Sequence, residues 1–143
     1  MYFLWEDHFA DVPRTNVVLI KFGRNASSQL GSIKWANNAT RIKTLLKRKT
    51  IKEYADAQDD KRITVITITR KFQNPEIPEF VVDSTIAHEM VHYAHGFSSP
   101  LKQRYRHPHK GGLIRKELEA RGLGQLHKEA RKWIRDNWRM YAR

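Results

Sequence analysis

Residues 88–92 read His88-Glu89-Met90-Val91-His92, and this run constrains the fold more than any other part of the chain. Two histidines four positions apart point the same way only on a helix, where i and i+4 lie one turn apart on one face. The flanking residues keep the same period. Ile86, Met90 and Ala94 recur at every fourth position, with Ala87 and Val91 beside them. Pro78 suits a first helical turn, and Gly96 follows the last periodic residue. A buried helix is therefore predicted over residues 79–95, with the two imidazoles in its middle.

That spacing lets both imidazoles reach one tetrahedral metal. Zn²⁺, one per chain, is the expected ion, because imidazole ligands and an open position for water suit it. Glu89 projects beside such a metal rather than onto it, where it can take a proton from water and pass it to a leaving amine. A catalytic zinc usually has three protein ligands, and His95, His107, His109 and Glu117 lie downstream. The metzincin pattern fails, because His95 stands where Gly is needed and Ser98 where His is needed. His95 shares part of the helix face with His92, but three ligands on one straight helix rarely converge, so it is expected to cap or pack. Glu117 on a following helix would make a thermolysin-like site. His109, just before that helix, is a loop-borne ligand able to swing over the first helix. A peptidase also needs a second donor for the developing oxyanion. Tyr105, His107 and Tyr93 are candidates, with Tyr105 ranked first.

The chain of 143 residues suits one domain with one core. Its main body is expected over residues 1–123, followed by a basic helix over 124–143. No stretch approaches the roughly 18 consecutive apolar residues of a membrane span. The N-terminal residues lack the basic region and cleavage site of a signal peptide. There is no cysteine, which excludes disulfides, a Cys-ligated zinc ribbon and a thiol nucleophile. These features fit a cytoplasmic chain. The net charge of +12 is unevenly placed: residues 102–143 hold 13 Lys and Arg against 4 Asp and Glu, a net of +9. Such a segment attracts polyanions, DNA above all.

A short amphipathic helix is predicted over residues 2–9, strands over 16–22, 30–35, 40–46 and 63–69, and a helix over 51–57. Asn37-Asn38 reads as a tight hairpin between the second and third strands. Residues 63–69 alternate Thr with Val or Ile, as a half-buried strand does. Helices follow over 110–121, stopped by Gly122, and over 124–141, with Trp133 and Trp138 expected in the core. The expected class is α+β: a small mixed or antiparallel sheet of three or four strands packed on the HExxH helix, zincin-like, with helices at the C-terminal end. The strand over 63–69 is expected near the cleft, where an edge strand would hold an extended peptide by backbone hydrogen bonds.

Several motifs together resemble the SprT-like (Spartan-type) zinc metalloprotease domain, over about residues 4–124. They are Trp5-Glu6-Asp7-His8-Phe9 before Val12-Pro13, then Leu30-Gly31, Trp35 and Asn38-Ala39-Thr40-Arg41-Ile42, then Val82-Asp83 leading into the HExxH run. His109-Lys110-Gly111-Gly112-Leu113 matches the family's H-G-x-x-F pattern in its His, with Lys in place of Gly and Leu in place of Phe. Residues 47–61 are longer than the family's equivalent, and its frequent cysteine ribbon is absent. The resemblance implies zinc on His88, His92 and His109, with Glu89 as general base. It implies a metalloendopeptidase acting on protein or peptide substrates, including proteins associated with or crosslinked to DNA. Two alternatives stand beside it. One is a nucleic-acid-binding module with a structural or vestigial zinc site, using residues 102–143. The other is a different zincin with Glu117 as third ligand.

Overall fold

The computed structural model describes residues 2–41 and 48–143. The elements run α1 (Tyr2–His8), β1 (Val17–Phe22), β2 (Gly31–Trp35), α2 (Arg48–Asp56), β3 (Ile63–Ile68), α3 (Glu79–Ala94), α4 (Leu113–Ala120) and α5 (Gly124–Asn137). Short 3₁₀ turns occupy Arg70–Gln73, Lys110–Gly112 and Trp138–Met140. The class is α+β, with one small mixed sheet. No helix among the described residues is long and apolar enough to cross a membrane.

The sheet order is β1-β3-β2. β3 lies parallel to β1 and antiparallel to β2. The most β-branched segment therefore takes the centre, where both of its edges are paired and Thr64, Val65 and Ile66 are buried. This corrects the expectation that residues 63–69 offer a free edge to substrate; among the described residues the edge strands are β1 and β2. The cross-strand row Ile20, Ile66, Ile33 faces the core. By the strand's period of two, Lys21, Thr67 and Ser32 face the other way, as do Leu19, Val65 and Lys34.

The expected hairpin at Asn37-Asn38 does not form. The Asn37 carboxamide oxygen accepts from the Ala39 N–H at 2.8 Å, and the Asn37 carbonyl accepts from the Thr40 N–H at 3.0 Å. A two-residue hairpin turn of type I′ needs positive φ at both central residues. Among the described residues other than glycine, Ser98 alone has it. Of the strand expected over 40–46, Thr40 and Arg41 are not in a strand, and residues 42–46 lie outside the described residues. β2 pairs with β3.

α3 is the centre of the molecule. Val81, Ile86, Ala87, Met90, Val91, Tyr93 and Ala94 are buried around its circumference, as in a helix enclosed on all sides. It meets β2 and β3 on one side and α4 and α5 on others. Pro78 takes the N-cap position, and Glu79 adds a favourable charge to the first turn. At the other end Gly96 has φ +87°. Its N–H donates to the Tyr93 carbonyl at 3.0 Å, while the Phe97 N–H donates to the His92 carbonyl at 2.9 Å. This double closure is the Schellman motif. A Cβ at Gly96 would lie 2.5 Å from the backbone of Lys102 and Gln103, so the loop that returns over the helix end also requires glycine.

A buried polar chain locks the last turn of α3 to the sheet. The Tyr93 hydroxyl donates to Asn16 Oδ1 at 2.6 Å, Asn16 Nδ2 donates to Thr64 Oγ1 at 2.9 Å, and Thr64 donates to the Ser98 carbonyl at 2.7 Å. The C-terminal end packs on the same core: Leu126, Trp133 and Ile134 of α5 lie half-buried against it, and Trp138, just beyond the helix, is buried in it with its indole N–H donating to the Ser27 carbonyl at 2.8 Å.

Candidate metal centre

His88 and His92 leave α3 one turn apart, and the chain then runs through the Gly96 turn and the 97–108 loop to His109. Gly111 and Gly112, at φ +70° and +69°, turn the backbone from His109 into α4. The three imidazoles converge. His92 Nε2 stands 3.2 Å from His88 Nε2 and 3.0 Å from His109 Nε2. One potential ligand atom from each of the three lies within 4.8 Å of the others.

The donor set fits a metal ion. Ligands about 2.0–2.1 Å from a tetrahedral Zn²⁺ lie about 3.3 Å from one another, close to both spacings. Three nitrogens aimed at one point cannot satisfy one another by hydrogen bonds alone, because each neutral imidazole carries one proton. Burial, reinforced by His109 and His127, pulls His88 down from its ordinary value to about 4. Burial, with His88, His109 and His95 nearby, pulls His92 down to about 3. Both rings are therefore held as the neutral form that ligates metal. His92 Nδ1 is buried and has no hydrogen-bond partner among the described residues.

Glu89 lies on the turn between the two histidines, 5 % exposed, and burial pushes its carboxyl up to about 7. Among the described residues its carboxylate makes no hydrogen bond or ion pair. Its neighbour across the packing interface is Gly31, at the start of β2. A Cβ there would sit 2.9 Å from Thr85 Cγ2 and 3.1 Å from Glu89 Oε1. The absence of a side chain at position 31 is what lets the edge strand approach this carboxylate.

His95, His107 and Glu117 are not part of the three-histidine cluster. His95 is 1 % exposed, and its Nε2 is 3.6 Å from Glu117 Oε1. Glu117 is held by Arg121, whose Nε and Nη2 donate to Oε1 at 3.3 and 3.2 Å. His95 thus packs, as expected, and Glu117 is committed to an ion pair outside the triad. Tyr105 lays its ring edgewise on His95, centroids 4.9 Å apart, and its hydroxyl has no hydrogen-bond partner among the described residues. The Tyr93 hydroxyl, which burial keeps protonated by pushing it up to about 12, donates to Asn16 and is thereby spent away from the triad. His107 is exposed and outside the cluster.

Two contributions were not read from the sequence. His127, half-buried on α5, bears electrostatically on His88, which brings the C-terminal helix to the margin of the site. In the sequence it is hidden within a run of basic residues. Gly31 as the neighbour of Glu89 follows from strand–helix packing, which no local pattern announces. A comparison of the chain with protein-family models finds no match, and comparisons with curated proteins and with solved structures find none either.

Proposed function

We propose that the chain is a zinc-dependent metalloendopeptidase of the SprT-like kind, with a zincin-like arrangement of its site. The observation that carries the proposal is the convergence of three imidazole Nε2 atoms beside a buried carboxylate with no partner among the described residues. His88, His92 and His109 would hold Zn²⁺, which supplies Lewis-acid polarisation of the scissile carbonyl and acidifies water. Glu89 takes the proton from the attacking water and returns it to the departing amine. A purely structural site has no need of a carboxylate at that position. The substrate chain lies extended along β2, because among the described residues β2 is the edge strand that abuts Glu89. Proteins associated with DNA are the proposed substrate class, in keeping with the net +9 of residues 102–143.

The test is proteolysis of an unfolded protein such as casein by wild type and Glu89→Gln, with zinc content measured for both. The variant is expected to keep about one zinc per chain and to lose roughly 10²–10⁴-fold in rate. Equal activity in the two proteins would overturn the peptidase proposal and leave a metal-holding nucleic-acid module.

A further inference from the structure

The face of the sheet turned away from α3 carries a groove of about 1310 Å³. Lys21, Arg24, Lys34, Arg41 and Arg70 line it, and no Asp or Glu does. Among the described residues none of these five side chains makes an ion pair, and Lys21 alone makes a hydrogen bond, donating to the Arg41 carbonyl at 3.0 Å. Gathering this many uncompensated cations costs self-repulsion, which a bound anionic group relieves. Among the strand residues, this face of the sheet carries no aromatic ring on which a base could stack. Phe22 and Trp35 belong by the strand's period of two to the α3-facing side, with Ile20 and Ile33. Trp35 is also covered by Arg62, whose guanidinium carbon lies 4.1 Å from the ring centroid. The residues of β2 on the groove face are Ser32 and Lys34, opposite Thr67 and Val65 of β3.

We infer that this groove selects acidic substrates: a chain extended along β2 places alternate side chains on the groove face beside Lys34, where Asp or Glu is favoured. The inference rests on the proposed placement of substrate along β2. Gly31, which abuts Glu89, and Ile33 lie on the α3-facing side of that strand. A chain paired with β2 follows the same period, so the side chain turned toward Glu89 is flanked by two on the groove face, beside Ser32 and Lys34. Opposite charges directly across a strand pair attract, and like charges there repel. Lys34 is exposed and supplies the direct partner, while Lys21, Arg24, Arg41 and Arg70 surround it with charge of the same sign. A peptide answers both parts of the site, because its backbone pairs with the strand edge while its carboxylates meet the cations. A nucleic acid would use the charge alone and leave its bases without a stacking partner.

The test uses the full chain, with its metal content checked, and three quenched-fluorescence peptides of alternating sequence in which every second residue is Glu, Gln or Lys. Casein cleavage is followed in parallel. At low salt kcat/KM is expected to be about fivefold higher for the Glu peptide than for the Gln peptide, with the Lys peptide lowest. The gap should narrow at high salt, as screening weakens the exposed charges. Lys34→Glu combined with Arg41→Glu should reverse the order of the Glu and Lys peptides while keeping the wild-type zinc content and unfolding midpoint. Equal rates on the Glu and Gln peptides, from a protein that cleaves casein, would overturn the inference and leave the peptidase proposal standing. Where no peptide is cut, binding decides the inference: anisotropy of the labelled peptides on Glu89→Gln should give the same order and the same reversal. A failure on casein as well would count against the peptidase proposal alone. Binding without preference among the three peptides would overturn the inference. So would displacement of the Glu peptide by oligothymidylate at a lower concentration than by its own unlabelled form.

Discussion

Gly31 and Glu89 meet so closely that a Cβ on the first would lie 3.1 Å from Oε1 of the second. The approach joins the edge of the sheet to the carboxylate of the metal centre, and it makes position 31 a sensitive control on catalysis. Gly31→Ala should displace the Glu89 side chain without touching a metal ligand. On the peptidase proposal, casein cleavage should fall roughly 10–100-fold, as for other small misplacements of a reacting group. Zinc content should stay at the wild-type level. Unchanged cleavage would show that the position of Glu89 does not matter to the reaction.

The ligand set can be ranked by substitution. His109→Ala should weaken zinc affinity by more than roughly 100-fold, beyond the usual effect of losing a group that only orients a ligand. Glu117→Ala, His107→Ala and His95→Ala should do far less, because Glu117 is bound to Arg121 and the other two stand outside the cluster. Competition with a chromophoric chelator reads the order directly. A larger loss from Glu117→Ala than from His109→Ala would overturn this assignment.

Tyr93→Phe tests the polar lock between α3 and the sheet. The substitution strands Asn16 Oδ1 in the interior, and leaving a buried acceptor unsatisfied costs about 1–3 kcal/mol. Urea unfolding should show a lower midpoint with an unchanged slope. Zinc affinity should be nearly unaltered, since Tyr93 touches no ligand.

The pH dependence of stability should carry a contribution from His95. Burial, the largest cause, depresses it below the ordinary 6.5 in the folded chain, against the opposing pull of Glu117. Between its folded value and 6.5 the unfolded chain therefore binds more protons than the native one. Stability is full above about pH 6.5 and falls as the pH drops through that window. The unfolding free energy of wild type and His95→Gln, followed from pH 8 to 5, should show a shallower acid decline in the variant. Parallel curves would assign the decline to other groups.

The parts of the fold legible in the sequence are those set by local periodicity. The helix expected over 79–95 forms over Glu79–Ala94, because an apolar period, a proline at its head and a glycine at its foot all agree. The strand expected over 63–69 forms over Ile63–Ile68 for the same reason. Pairing is not legible in the same way. Nothing in the alternation of β3 says that both edges are taken, and Asn37 folds its own carboxamide into the turn where a hairpin is expected. At the site, spacing alone singles out His88, Glu89 and His92, whereas His109 is one of several downstream candidates until the two glycines after it aim the chain back. The use of Tyr93 is hidden from the sequence because its partner, Asn16, lies 77 positions away.

The two histidines on α3 and the one on the return loop lie close in the chain, with His92 and His109 separated by 17 positions. An ion shared among them would act as a clasp across that span, comparable with a covalent cross-link over a short loop, for which about 3 kcal/mol is usual. The clasp spans the helical side of the molecule and spares the sheet, whose pairing owes nothing to it. Withdrawal of the ion would therefore loosen the 97–108 segment first, while the Ile20–Ile66–Ile33 row held. On the metal proposal, metal supply and the shape of the site entrance would be bound to one short stretch of chain.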